Sequence, residues 1–434
     1  MIFLIIKCHL LNIEKIDNLN IKINYNNPIV MDNNNKITIN GLDEILLIPV
    51  DKLTLLQHLT FSFEFNQPLC NSLDKLTSLQ HLTFGEEFNQ PLSNSLNKVT
   101  CLQYLKFGHK FNQPLSNSLY KLTLLERLTF GYEFNQPLSN SLDKLTSLQH
   151  LTLGDFFNQP LYNSLDKLTS LQHLFFGDYF NQPLCNSLDK LTSLQYLTFG
   201  WYFNQSLSNS LDKLTLLQCL TLGDNFNKLL SNSLDKLTSL NNLTFGENFN
   251  KHLSNSLDKL TSLQQLTFGY EFNQPLTNSL DKLTSLQQLT LGYKFNQPLT
   301  NSLVKLTSLQ YLTLGYKFNQ QLDLLSNIKY LVLGCNNQYI IDNLHNNIEE
   351  LIFDHKFNLE LDNLPSSIKK ITIKNKNYNK ELNNLPILVE YIRLPFDYKK
   401  KILNIPKNLK EINCSKNYEF INDFSNYQVL FIEY

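Results

Sequence analysis

The dipeptide Phe-Asn begins at positions 65, 88, 111, 134, 157, 180, 203, 226, 249, 272, 295 and 318, a step of 23 residues repeated without insertion. No other feature of the chain constrains its fold as tightly. One copy reads Leu79-Gln-His-Leu82-Thr-Phe84-Gly85-Glu-Glu-Phe88-Asn89-Gln-Pro91-Leu92-Ser-Asn-Ser-Leu96-Asn-Lys-Val99-Thr-Cys101, and the next opens at Leu102. Apolar residues hold seven fixed columns, and polar residues fill nearly all the rest. Burying seven side chains does not offset the entropy of ordering 23 residues. Each copy must therefore cover its flanks with its neighbours. Units stacked at one strand spacing, about 4.8 Å, achieve this, and the expected product is a solenoid with a parallel sheet along one face.

Within a copy, Leu82-Thr83-Phe84 alternates in-out-in, the period of a short strand with one buried face. Eleven of the thirteen glycines occupy the column that follows, at Gly85, Gly108, Gly131 and onward. Access to positive φ is the expected reason. Phe88 is expected to point inward and Asn89 to satisfy backbone groups of the turn. Pro91 fixes an extended path, and Leu96 to Val99 returns along the far side as a short helical or irregular turn. The two phenylalanine columns, which hold most of the thirty phenylalanines, are read as core stacking.

The signature L-x-x-L-x-F/L-G-x-x-F-N-Q-P-L, carried by twelve in-phase copies over roughly residues 53 to 322, resembles the FNIP repeat, a relative of the leucine-rich repeat. The resemblance implies an open curved solenoid, leucine-rich-repeat-like, with short parallel β-strands on the concave face and irregular or short helical turns on the convex side. It also implies a source among social amoebae or giant viruses of amoebae. Abundant Asn, Lys, Ile, Phe and Tyr without a single alanine suit such an A+T-rich genome. Some family members carry an N-terminal F-box that docks onto a ubiquitin-ligase scaffold. Residues 1–50 lack its Leu-Pro opening and helical periodicity, and Leu42-Asp-Glu-Ile-Leu46 is a faint echo of it.

Three regions are expected: 1–50 as an N-terminal cap, 51–322 as the twelve regular repeats, and 323–434 as divergent coils with a C-terminal cap. In the cap, Ile21-Lys-Ile23 and Ile37-Thr-Ile39 read as irregular strands. Beyond Phe318, strand-like triplets recur every 20 or 21 residues at Leu331, Leu351, Ile371 and Ile392, and Tyr427 to Tyr434 reads as a last strand. Caps are needed because bare ends of a parallel sheet template aggregation.

Charge and motif content exclude most chemistry. A net charge of −1, from 37 basic and 38 acidic residues, argues against nucleic acid or an anionic membrane as partner. The only arginines are Arg127 and Arg393. Isolated glycines form no phosphate loop, and no nucleophile elbow or zinc-protease motif appears. Neither an enzyme nor a cofactor is expected. His58 with His81, and His150 with His173, share a column, with Asp155 and Asp178 nearby; this column flanks a strand at the surface without supporting groups, so no metal is expected. Seven cysteines form no CxxC pair, and Cys70 and Cys185, in one column, lie five coils apart, beyond disulfide reach. Met1 to Ile6 is too short an apolar run for a signal, and no stretch is long enough to span a membrane. A cytoplasmic monomer with reduced thiols is expected, in the host cytoplasm if the source is viral.

Columns that never vary hold the coil; columns that drift are free for something else. Four drift: the residue before the strand leucine, the mid-strand residue (threonine except at Lys106 and Phe175), the pair before Phe-Asn, and the residue after Gln-Pro-Leu, where Tyr162 stands out. Stacking these columns gathers His150, Phe156, His173, Phe175, Tyr179, Tyr196, Trp201 and Tyr202 over neighbouring coils, flanked by Asp155 and Asp178. Tyr270, Tyr293 and Tyr316 form a second group beside Glu271, Lys294 and Lys317. Exposed aromatic clusters on a rigid surface make interface hot spots. The expected function is a non-catalytic scaffold binding a protein partner through the concave sheet face and adjoining loops. The alternative is a substrate receptor of a ubiquitin ligase recruited through a separate adaptor.

Overall fold

The computed structural model describes residues 36–299, 301–322 and 324–432. These form a parallel β-solenoid built on one sheet of 19 strands, in which each strand pairs with the next in sequence. Lys36–Ile39 leads and pairs with His58–Phe61. Ten three-residue strands follow at the 23-residue step, from His81–Thr83 to Gln288–Thr290, and then Tyr311–Leu314. The step then shortens to strands at Tyr330–Leu333, Glu350–Phe353, Lys370–Ile373, Tyr391–Arg393, Glu411–Cys414 and Gln428–Phe431. Because the register repeats column for column, as in His150↔His173↔Tyr196, equivalent side chains stand one strand spacing apart along the whole axis.

The seven apolar columns are buried, Leu79, Leu82, Phe84, Phe88, Leu92, Leu96 and Val99 in one coil. Phe84 stacks on Phe88 within its coil at 4.1 Å, and Phe88 on Phe111 of the next at 5.9 Å. The second column continues unbroken from Phe65 to Phe318. The return path is a chain of single turns: Ser95 N–H to Leu92 O, Asn97 N–H to Asn94 O, Val99 N–H to Leu96 O. In the ten coils from Cys70 to Asn278 a helix does not propagate because a residue near the start of the return path is in the left-handed region, at Ser93 (φ 47°) or Tyr162 (φ 43°) for example.

That observation corrects the reason for the glycines. No glycine has positive φ; the left-handed residue is the one after Gln-Pro-Leu, or one further on at Asn209 and Asn278. The glycine column is set by close approach instead. A Cβ on Gly177 would lie 2.0 Å from the carbonyl oxygen of Gly154 in the preceding coil.

Asparagine also acts between coils. Asn89 donates its N–H to Asn66 Oδ1 at 3.0 Å, and the same bond recurs in every coil to Asn319. The following glutamine adds a donor to the same oxygen, as Gln182 Nε2 does to Asn158 Oδ1 at 3.1 Å. Lys228 and Lys251 replace that glutamine in two coils, where the backbone bond persists alone. Each asparagine therefore satisfies its neighbour's backbone rather than its own turn.

At the ends, Leu42–Leu46 and Val50–Leu53 are short helices. A further helix, Gln338–Asp342, occupies the return path of a divergent coil and is capped by the Asn337 side chain. Ile21 to Ile23 lies outside the described residues. Gln428–Phe431 is the last described strand; Leu430 and Phe431 are exposed.

Candidate functional site

The eight aromatic and histidine positions separate in space into two ladders. On the sheet face, exact repetition of register places His150, His173 and Tyr196 side by side. Their ring centroids are 4.1 Å and 4.3 Å apart, with planes within 16°. Phe175, at the mid-strand position held by threonine in most coils, stands beside them, 6.4 Å from the His173 ring. Phe175 is exposed, while the three stacked rings are half-buried. Stacking removes water from both imidazoles.

Burial first, then the neighbouring His173 and Arg127, pushes His150 down to about 4. His173 is lowered by burial and Arg127. A base whose folded pKa lies below its ordinary 6.5 binds fewer protons folded than unfolded between those values. Stability is then fully present above about pH 6.5 and falls as the pH drops toward 4. The thermal midpoint is expected to decline across this window, and His150→Gln to flatten the decline. An unchanged slope in that variant, or an NMR titration of His150 near 6.5, would contradict the stacked arrangement.

The second ladder runs along the edge formed by the turn after each strand. Phe156 meets Tyr179 edge-on at 4.8 Å, and Tyr179 stacks on Tyr202 at 4.8 Å. The ladder extends further than the sequence reading, through Tyr132 (4.5 Å from Phe156) to His109 (4.8 Å from Tyr132). Tyr132 occupies the first position of its turn and Phe156 the second, so a column-by-column comparison does not pair them. Trp201 lies in the neighbouring column, half exposed, and its backbone N–H is directed at Asp178 Oδ1 at 3.5 Å. Asp155 is pushed up by burial and then by the like charge of Asp178.

The second aromatic group is a stack of its own. Tyr270, Tyr293 and Tyr316 lie 4.5 Å and 5.1 Å apart. Lys294 pairs with Glu271 at 2.7 Å. Lys356, two coils beyond Tyr316, donates to Tyr293 Oη at 2.8 Å and lies 4.7 Å from the Tyr316 ring centroid. No spacing rule links Lys356 to this stack, because the shorter period after Phe318 decides where it falls. Among the described residues no group of three or more His, Cys, Asp or Glu converges as metal donors. No helix among them is long and apolar enough to cross a membrane.

Known proteins share this architecture. A family model described as a leucine-rich repeat region matches residues 178–339. CroV588, a giant-virus protein described as a novel circular LRR protein, is 29% identical with a TM-score of 0.56. The match covers 87% of this chain and 65% of that one, so the chain spans about two thirds of that relative's length. The Leptospira interrogans LRR protein LIC12759 is 20% identical with a TM-score of 0.61, covering 91% of this chain and 99% of that one. A Drosophila structure, that of the Toll–Spatzle complex, is similar at 14% identity and a TM-score of 0.54, covering 88% and 63%. These likenesses show a leucine-rich-repeat-like fold. Comparison with curated proteins gives no match.

Proposed function

We propose that this chain is a non-catalytic scaffold that binds a protein partner through the sheet face and the adjoining edge of the coils between His150 and Tyr202. The observation that carries this reading is the concentration of exposed aromatic side chains there. Phe156, Phe175, Tyr179, Trp201 and Tyr202 are all exposed over three consecutive coils, on a backbone held rigid by the asparagine and phenylalanine columns beneath. Large aromatic rings with little conformational freedom to lose are what binding hot spots require. Leucine-rich-repeat-like solenoids commonly serve as interaction scaffolds, which supports the same reading. The ubiquitin-ligase alternative rests on the FNIP resemblance alone.

The test is quantitative capture from amoebal lysate with the wild type and two triple variants. One alters the face (His173→Ser, Phe175→Ser, Tyr196→Ser), the other the edge (Tyr179→Ser, Trp201→Ser, Tyr202→Ser). At least one variant is expected to lose a specific protein by about tenfold or more, the range for removing a hot spot. Tyr162→Ser, on the return side at a 77% exposed residue, is expected to retain it. Capture unaffected by both triples would overturn the reading. A ubiquitin-ligase adaptor in all samples would favour the alternative.

A further inference from the structure

The edge built by the turns has a charge order that its aromatic ladder does not explain. Consecutive turns from Asp155 to Asn248 carry Asp155, Asp178, Asp224 and Glu247, and no lysine or arginine; the turn between Asp178 and Asp224 carries Trp201 and Tyr202. None of the four carboxylates forms an ion pair among the described residues. Further along the same edge the turns carry Lys294, Lys317, Lys356 and Lys376, with Lys374 beside Lys376; one acid, Asp354, stands in the turn of Lys356, 3.8 Å from His355. The turn between Lys317 and Lys356 is uncharged and presents Asn336, with Cys335 buried beneath it. Between the two runs lies the turn of Tyr270 and Glu271.

Counted outward from Tyr270, the two runs mirror each other. One turn away stand Glu247 on one side and Lys294 on the other. Asp224 and Lys317 follow at two, the uncharged pairs Trp201-Tyr202 and Cys335-Asn336 at three, Asp178 and Lys356 at four, and Asp155 and Lys376 at five. A two-fold axis through the turn of Tyr270 places Glu247, Asp224, Asp178 and Asp155 against Lys294, Lys317, Lys356 and Lys376, twice over, with uncharged turns against each other. Glu271 falls on the axis beside its own copy, and Lys294, which it already binds within its chain, is shared between it and Glu247. An axis set along the radius of the solenoid lays a curved path on its own reverse, so curvature does not spoil the match. Such a contact is self-complementary, as a two-fold interface must be. About eleven turns at roughly 4.8 Å give a strip about 50 Å long, enough to reach the roughly 1,200 Å² at which specific interfaces begin.

We propose that two copies of this chain associate edge to edge about this axis, the run Asp155–Glu247 of each lying along the run Lys294–Lys376 of the other. This rests on reading the edge as an interface and names its occupant; it replaces the monomer expected from sequence. The exposed rings of Tyr179 and Tyr202 then face the turns of Lys356 and Asn336, where Lys356, already over the Tyr316 ring of its own chain, meets a second aromatic face.

Sedimentation velocity of the purified chain, at low and high ionic strength, tests this. At low ionic strength the wild type is expected at twice its 50.6 kDa, and salt is expected to shift it toward one chain, because exposed pairs are screened. Lys317→Glu with Lys356→Glu sets acid against acid and is expected to weaken association at least about a hundredfold; Asp178→Lys with Asp224→Lys sets base against base with the same result. Mixed in equal amounts, these two variants present only opposite charges to each other and are expected to re-form the dimer. Asp178, Lys317 and Lys356 are exposed and Asp224 is half-buried, and unchanged circular dichroism confirms folding. Three results would each overturn the proposal: a wild type of single-chain mass at low salt, a charge-reversed variant that still dimerises, or a mixture that does not. None would touch the capture of a protein by the sheet face, whose variant (His173→Ser, Phe175→Ser, Tyr196→Ser) leaves this edge intact; the edge triple alters Tyr179 and Tyr202 on the contact and is expected to weaken the dimer as well.

Discussion

Replacing Gly177 with alanine is expected to destabilise the central coils by at least about 3 kcal/mol, beyond what an overpacked core methyl usually costs. The added Cβ would lie 2.0 Å from Gly154 O, 2.4 Å from Asp155 Cα and 2.5 Å from Gly154 C. All three are backbone atoms of the preceding coil, so no side chain can turn away. Relief requires opening the strand pairing between His150–Thr152 and His173–Phe175, and with it the face ladder. In a solenoid such damage stays near its origin, because stability is a sum over coils and their contacts. Amides from about 150 to 200 are therefore expected to lose hydrogen-exchange protection while those near Leu351 and Ile371 keep theirs. Two other glycines serve as a scale. Alanine at Gly334 meets nothing closer than 3.1 Å, and at Gly41 only Gln67 Nε2 at 3.5 Å. A moderate cost is expected at the first and a neutral or slightly stabilising change at the second, where a less free unfolded chain helps. Equal effects at Gly41 and Gly177 would refute the close-approach account.

Those glycines also show what one sequence can and cannot convey. That a glycine must follow each strand is plain from eleven recurrences. That it avoids a carbonyl 23 residues earlier, rather than adopting positive φ, depends on how closely coils approach, which no single coil contains. Strand positions were legible for the opposite reason: alternation of Leu82, Thr83 and Phe84 is local, and parallel in-register stacking repeats it without change. The site lies between these cases. Columns correctly brought His150, His173 and Tyr196 together, since partners in a parallel ladder share a column. The Tyr132–Phe156 contact is diagonal between columns, so His109 and Tyr132 were missed and Trp201 was grouped with rings it does not stack on. Lys356 on Tyr293 was out of reach altogether, because its place follows from a change of period.

The asparagine column supplies the other large effect. Asn158 Oδ1 accepts two bonds from the next coil, Asn181 N–H at 2.9 Å and Gln182 Nε2 at 3.1 Å. Its own N–H goes to Asn135 Oδ1 at 2.9 Å. Asn158→Ala keeps the last of these and removes the acceptor for both others. The Asn181 N–H is partly buried, without another partner in its turn, and a donor left in that position loses its solvation without recompense. The expected loss is about 2–3 kcal/mol, the two bonds together with the stranded donor. Asn158→Asp keeps an oxygen at the same place and is expected to lose less than half as much, the remainder being the cost of partly burying a charge. Urea unfolding of the three proteins separates the contributions, since the side chain is cut back only in the alanine variant. Amide exchange at Asn181 gives a residue-level check: it should quicken markedly with alanine and little with aspartate. If both variants lost the same stability, the asparagine would be acting through its shape in the turn, and the bond between coils would contribute nothing of its own.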